Sequence, residues 1–300
     1  MSFASIDDLQ RAFGLKGYVA DRDLATALYL SLALGRPLLL EGEAGVGKTE
    51  VGRTLALALD TELIRLQCYE GIDVSTAVYE WDYPRQMLEI RLLEARGEAK
   101  SAATRDIFSE EFLIRRPLLR AIEPRNQPAV LLIDEVDRAD EEFEAYLLEV
   151  LADFAITIPE IGTLHAEQPP HVVLTSNRTR EVHDALKRRC LYHWIDYPSY
   201  ERELAILHAR MPNVPEALAR EVVAFVQRLR SADLTKVPGV AETLDWAAAL
   251  TALGATRLDA AQVEQTLGVL LKYQEDVSAM RAGGARTTLD EARALGAAGK

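Results

Sequence analysis

Between Pro37 and Thr49 an apolar run, Pro37-Leu38-Leu39-Leu40, passes through Glu41 into Gly42-Glu43-Ala44-Gly45-Val46-Gly47-Lys48-Thr49. The spacing is glycine, four residues, glycine, lysine, threonine. Glycines let successive backbone N–H groups turn inward, and a helix opening at Glu50 would add its positive end to an anion site. Lys48 is placed to reach terminal phosphates and Thr49 to ligate magnesium. A chance linker between a strand and a helix would not need every fixed position filled. The chemistry is that of a phosphorylated nucleotide.

A second group lies at the end of Ala129-Val130-Leu131-Leu132-Ile133-Asp134-Glu135. A continuous apolar run of this length fits a strand buried on both faces of a parallel sheet, and α/β sheets bind ligands at the carboxyl edge. There Asp134 would hold magnesium through its water shell and Glu135 would polarise an attacking water. Without a phosphate loop nearby, the same pair would read as an acidic helix cap. A third run, His171 to Asn177, ends on Asn177, which could orient the water or donate to a γ-phosphate; an Asn in a turn is the simpler alternative. Lys187, Arg188 and Arg189 then end a short helix, where cations also suit the helix dipole.

The elements that must position these groups follow from periodicity. Ile6 to Phe13 and Arg22 to Leu34 read as helices, the second ended by Gly35, and Tyr18 and Val19 between them could pack on an adenine or in the core. Leu63 to Cys68 reads as a strand, and Tyr79, Trp81 and Tyr83 as part of a packed loop or edge hairpin. Arg85 to Ala95 looks helical, Arg96 to Arg105 a surface loop, and Ile107 to Ile122 helical with an interruption at Pro117. Asp140 starts a helix with Phe143, Tyr146, Leu147, Val150 and Leu151 at helical spacing. Residues 155–165 alternate like a hairpin around Pro159 and Gly162. After Leu191 to Ile195, the last strand, only helices follow: Glu201 to Ala209, Pro215 to Arg230, Val240 to Leu253 and Asp259 to Tyr273. The expected organisation is an α/β nucleotide-binding domain over 1–198, a helical lid over 199–275, and a loosely held tail over 276–300.

The chain has 300 residues, 49% of them hydrophobic and 27% charged, the composition of a globular protein with a sizeable core. No apolar run approaches the roughly 20 residues of a membrane span, and the first residues carry no basic-then-apolar leader, so the expectation is cytoplasmic. Cys68 and Cys190 are far apart and lack metal-ligand spacing, which suggests reduced, buried thiols. A net charge of −13 argues against general nucleic-acid binding.

The order of phosphate loop, Asp134-Glu135, Asn177, Arg188-Arg189 and helical lid resembles the AAA+ ATPases, and the hairpin at 155–164 resembles the insert of their MoxR branch. More narrowly, Arg65-Leu66-Gln67-Cys68-Tyr69-Glu70-Gly71, Val74 to Trp81, and Leu186 to Trp194 look like the CoxD-type MoxR proteins. The resemblance implies a parallel five-stranded sheet flanked by helices with a small all-α lid. It implies ATP and Mg2+ as ligands, with Gly42 to Thr49 as Walker A, Asp134 and Glu135 as Walker B, and Asn177 as sensor 1. Arg189, helped by Arg188, would be an arginine finger for the neighbouring subunit of a ring, a hexamer. It further implies an ATP-hydrolysing chaperone that acts with a von Willebrand A-domain adaptor on a client such as a molybdenum-containing carbon monoxide dehydrogenase. A nucleotide-dependent switch or assembly scaffold is the alternative. One departure stands out: the branch usually carries a sensor 2 arginine at the start of the third lid helix, where this chain has Glu242, with Lys236 the nearest cation.

Overall fold

The computed structural model describes residues 3–95 and 107–298. The fold is of the α/β class. Its elements in chain order are α1 (Ile6–Leu15), α2 (Arg22–Leu34), β1 (Leu38–Gly42), α3 (Lys48–Leu59), β2 (Leu63–Gln67), α4 (Val74–Ala77), β3 (Tyr79–Trp81) and α5 (Tyr83–Ala95). They continue with β4 (Leu113–Arg115), α6 (Pro117–Ile122), β5 (Val130–Asp134), α7 (Glu141–Asp153), β6 (Ala155–Ile158), β7 (Gly162–His165), β8 (His171–Ser176), α8 (Asp184–Arg189) and β9 (Leu191–Ile195). The remainder is helical: α9 (Tyr200–Arg210), α10 (Glu216–Arg230), α11 (Val240–Ala252), α12 (Ala260–Leu270), α13 (Gln274–Ala279) and α14 (Ala285–Ala298).

By contact density the chain divides into residues 1–6, 23–41 and 52–194, and residues 7–22, 42–51 and 195–300. In the first unit the five-stranded parallel sheet has the order β2-β5-β8-β1-β9. Leu39 sits beside Leu174 and Leu132 beside Val173, so apolar residues meet in register across the middle of the sheet. β1 and β5 are buried along their whole length, as continuous apolar runs require between helical layers. Because the strands are parallel, Glu41, Asp134 and Ser176 all end on one edge. Asp140 caps α7, its carboxylate accepting from the Phe143 N–H at 2.8 Å, and Phe143, Leu147, Val150 and Leu151 turn into the core. The expected hairpin is present as β6 and β7, paired antiparallel from Ala155–His165 to Ile158–Gly162.

One expectation about the first unit is corrected. Ile107 to Ile122 is not one interrupted helix: Leu113 to Arg115 forms β4, which pairs antiparallel with β3, Trp81 opposite Leu113. Pro117 then takes the first position of α6, where a missing N–H costs nothing. This pairing buries Trp81 while Tyr83 stays exposed, so the aromatic triplet divides between core and surface. The surface loop expected at Arg96 to Arg105 lies outside the described residues.

In the second unit, Leu218, Val222, Phe225, Val226 and Leu229 of α10 are fully buried and pack with Trp246, Leu250, Val263 and Leu267. The Trp246 ring lies 5.2 Å from that of Phe225, and its N–H donates to Thr266 Oγ1 at 2.7 Å, so its one polar atom is satisfied. The stretch expected as a loose tail is helical instead. Met280, Ala285, Leu289 and Ala292 are buried in the same core; the spacing of the last three puts them on one helical face, and small alanines let α14 approach closely.

Candidate active site

The carboxylates come first, because the sheet edge holds them most firmly. Asp134 is almost fully buried. Its Oδ1 accepts from the Thr175 hydroxyl at 2.6 Å, and its Oδ2 from Arg65 Nε at 3.0 Å and Nη2 at 2.5 Å. Glu135 has φ 54 and ψ 51, a left-handed conformation that costs a non-glycine residue and persists only where neighbours enforce it. The enforcing contact is visible: the Glu135 N–H donates to Thr175 Oγ1 at 2.9 Å. One hydroxyl on β8 therefore grips both members of the acidic pair.

The Glu135 side chain is held at its tip. Gln67 Nε2 donates to its Oε2 at 3.2 Å, Arg138 Nη1 to the same oxygen at 3.1 Å, and Asn177 Nδ2 approaches Oε1 at 3.5 Å. Asn177 thus lies beside the Glu135 carboxylate. Beyond it, Asp137 accepts from the Thr179 N–H and hydroxyl at 2.8 and 2.7 Å. Buried Glu144 pairs with Arg180 and accepts from the His183 N–H at 2.7 Å. These contacts fasten the 178–183 loop that leads into α8.

Arg188 and Arg189 close α8 and are exposed. Their backbone is anchored, since Arg36 donates to the carbonyls of Arg188 at 2.8 Å and Arg189 at 3.3 Å. Neither guanidinium has an ion-pair partner among the described residues. A fixed helix end presenting unpaired cations suits a site on another molecule.

The glycine-rich loop belongs to the second unit. Gly42 has φ 154, and a Cβ there would sit 2.3 Å from the Ile195 carbonyl, so the entry to the loop tolerates no side chain. Lys48 opens α3, is buried, and donates to the carbonyls of Gly42 at 2.7 Å and Glu43 at 2.6 Å. Ala44, Gly45 and Val46 carry the loop round, and the Gly47 Cα faces the Tyr18 ring, which stands edge-on to Phe13 at 5.7 Å. Glu50 accepts from Arg210 Nη1 at 2.9 Å, so its carboxylate is engaged with α9.

The start of α11 rests on the same loop. The Ala241 N–H donates to the Gly45 carbonyl at 3.1 Å. Glu242, standing where a sensor 2 arginine was expected, folds back to accept from the Gly239 N–H at 2.9 Å, the reciprocal half of a capping box. A buried network stiffens this corner. Arg230 grips Glu203 through two 2.7 Å hydrogen bonds, donates to the Pro238 carbonyl at 2.8 Å, and stacks 4.8 Å from the Tyr197 ring. Thr243 adds a 2.7 Å bond to Glu203. Sequence reading missed Arg65, Gln67, Thr175, Glu203 and Arg230.

The donor set fits a nucleotide with magnesium. Among the described residues no cluster of three or more His, Cys, Asp or Glu is built to hold a metal, and magnesium needs none, since it is usually held by one or two protein oxygens plus phosphates and water. The Asp134 carboxylate in the first unit and, separately, the Thr49 hydroxyl in the second are oxygens of that chemical type.

Two thiols complete the picture. Burial, helped by the nearby Asp134 and Asp137 charges, pushes Cys68 up to about 12, and burial pushes Cys190 up to about 12 against the opposing Arg36 charge. Both are free and buried, and thiols so shifted are poor nucleophiles.

Comparison with known proteins bears on the fold and the family. A solved point mutant of RuvB from Thermotoga maritima is 19% identical, covering 91% of this chain and 74% of its own with a TM-score of 0.50. The RuvB Holliday junction branch migration motor of the same organism is 18% identical over 88% of this chain and 71% of its own, at a TM-score of 0.47. At such identities the likeness is one of fold. No curated protein sequence matches the chain significantly. The sequence model of the AAA domain (dynein-related subfamily) matches residues 37–190, more than half of the chain, from β1 through the acidic pair to the end of α8, and so the chain belongs to the dynein-related subfamily of AAA domains and is an ATP-hydrolysing enzyme.

Proposed function

We propose that the chain is a MoxR-type chaperone of the cytoplasm, working as a ring of identical subunits in which ATP hydrolysis remodels a partner protein. The observation that carries the catalytic part is Glu135, held in a strained backbone conformation by Thr175 with the Asn177 amide 3.5 Å from its carboxylate. Gly42 to Thr49 would cradle the phosphates, Lys48 exchanging its loop carbonyls for phosphate oxygens and Glu50 standing in the first helical turn. Thr49 and Asp134 would hold magnesium, which supplies charge neutralisation at the phosphates. Glu135 takes the proton of the attacking water, and Asn177 fixes that water's direction. Arg189, with Arg188 beside it, would complete the site of the next subunit by balancing charge on the transferring phosphoryl group, an effect of order 10³-fold or more.

The client and adaptor rest on the resemblance of the 65–71, 74–81 and 186–194 segments to CoxD-type MoxR proteins. On that reading the adaptor is a von Willebrand A-domain protein and the client a molybdenum-containing metalloenzyme. A DNA motor shares the core chemistry, but the net charge of −13 opposes phosphate-backbone binding. A scaffold with slow hydrolysis is the second reading, favoured by one feature: Glu242, where a sensor 2 arginine was expected, is committed to capping α11.

Subunit mixing tests the ring. Glu135→Gln and Arg189→Ala chains should each be inactive alone. Mixed, they should regain part of the wild-type turnover, because an intact Arg189 on one chain then serves an intact Glu135 on the other. Mixtures as inactive as either variant would refute a finger acting between subunits.

A further inference from the structure

Asp134 carries more in this chain than a magnesium residue requires. Its Oδ1 is fixed from β8 by the Thr175 hydroxyl, while its Oδ2 receives both Nε and Nη2 of Arg65 on β2. β2 is the outermost strand of the sheet on that side, and the registers pair Gln67 with Asp134. Arg65, two residues earlier on the same face of β2, therefore reaches along the sheet edge. The two side chains differ in freedom: 40% of the Arg65 side chain is exposed, against 2% for Asp134. The guanidinium stands partly in solvent on a long stem, whereas the carboxylate is enclosed. Gln67 accepts from Arg65 and donates to Glu135, which keeps the guanidinium turned toward the acidic pair.

A monovalent cation and a divalent one attracted to the same carboxylate repel each other. At separations of several ångströms that repulsion amounts to kilocalories per mole even in a medium of intermediate dielectric, reduced here by solvent around the half-exposed guanidinium. We infer that Arg65 is a displaceable counter-cation of Asp134, a positioning residue that neutralises the buried carboxylate before the metal arrives and sets how much metal the nucleotide site needs. The inference rests on Asp134 serving as the magnesium residue. It separates the role of Arg65 from a plain structural ion pair, because an ion pair that only braces β2 against β5 has no reason to change metal affinity.

The test measures metal binding directly. Manganese replaces magnesium, and the spectrum of the free ion counts how much the ADP-loaded full-length chain has bound. Arg65→Gln removes the charge and keeps an amide donor on a shorter side chain; Arg65→Lys keeps the charge. The Gln variant should bind manganese about tenfold more tightly than wild type, the size expected for removing one partly screened charge, and the Lys variant should stay near wild type. Thermal melts without nucleotide show that both variants fold. Unchanged or weaker manganese binding by the Gln variant overturns the inference, as does equal tightening by the Lys variant. Asp134→Asn keeps the two claims apart. If it weakens manganese binding while Arg65→Gln changes nothing, the magnesium reading stands and only the role of Arg65 falls. If Asp134→Asn has no effect, the magnesium reading fails and takes this inference with it.

Discussion

Replacing Thr175 with valine keeps the shape of a buried side chain and deletes one hydroxyl. That hydroxyl donates to Asp134 Oδ1 at 2.6 Å and accepts from the Glu135 N–H at 2.9 Å. Losing a hydrogen bond to a charged group costs about 1.5–3 kcal/mol, and leaving a largely buried N–H without a partner about 1–3 kcal/mol. The added methyl group returns up to about 0.8 kcal/mol, so the net loss is roughly 2–5 kcal/mol. For a domain of this size, each kcal/mol moves the melting temperature by about 2–4 °C, which gives a fall of about 4–20 °C by calorimetry. The catalytic effect is separable from this. The left-handed backbone at Glu135 has lost its tether, so kcat should fall at least about tenfold, or ~1.4 kcal/mol of transition-state stabilisation, while KM for ATP changes little. Thr175→Ser, which restores the hydroxyl, should recover most of both. A valine variant with wild-type melting temperature and kcat would refute the argument that this hydroxyl positions the acidic pair.

Other outcomes follow from the second unit and the thiols. Gly239→Ala has an ordinary backbone to adopt, but its Cβ would meet the Ala44 carbonyl at 2.8 Å and the Gly45 Cα at 3.0 Å. The overlap should cost about 1–3 kcal/mol and part α11 from the loop, weakening binding of an ATP analogue by about tenfold in a fluorescence titration; unchanged affinity would contradict it. Cys68 and Cys190 should resist a thiol reagent at pH 8 in the folded chain and react fully after denaturation. Both thiols are raised from 9.0 to about 12 on folding, so the folded state holds their protons longer. Their contribution is complete below pH 9 and is lost as pH rises toward 12. Denaturation midpoints compared at pH 8 and pH 10 should therefore show a smaller fall for Cys68→Ala than for wild type.

Much of the fold is legible in one dimension because its strands are buried on both faces. Pro37 to Leu40, Ala129 to Ile133 and Val172 to Leu174 are continuous apolar runs, and Asp140 announces α7 by its capping position. β3 and β4 escape such reading: three residues carry no periodicity, and Trp81 finds Leu113 across more than thirty residues of chain. Ala285, Leu289 and Ala292 have helical spacing, but alanine is a weak signal of burial, and so the last helix reads as a tail. At the site, Asp134, Glu135 and Asn177 can be picked out because each ends an apolar run. Arg65 and Thr175 are missed for a different reason. What makes them matter is register, Leu40 beside Thr175 and Gln67 beside Asp134, and register between strands is not written in the spacing along any one of them. The Glu203–Arg230 pair is similar, two charged residues on separate helices whose burial no single helix reveals.

The central claim is that Glu135 drives hydrolysis at a site that binds ATP without it. Glu135→Gln keeps the size of the side chain and removes its ability to take a proton. Binding of a fluorescent ATP analogue and release of phosphate, measured on the same preparation, decide the matter. The variant should bind as wild type does and release phosphate at least about a hundredfold more slowly, the lower end of what a positioned general base contributes. Phosphate release at the wild-type rate, with binding intact, would contradict the account.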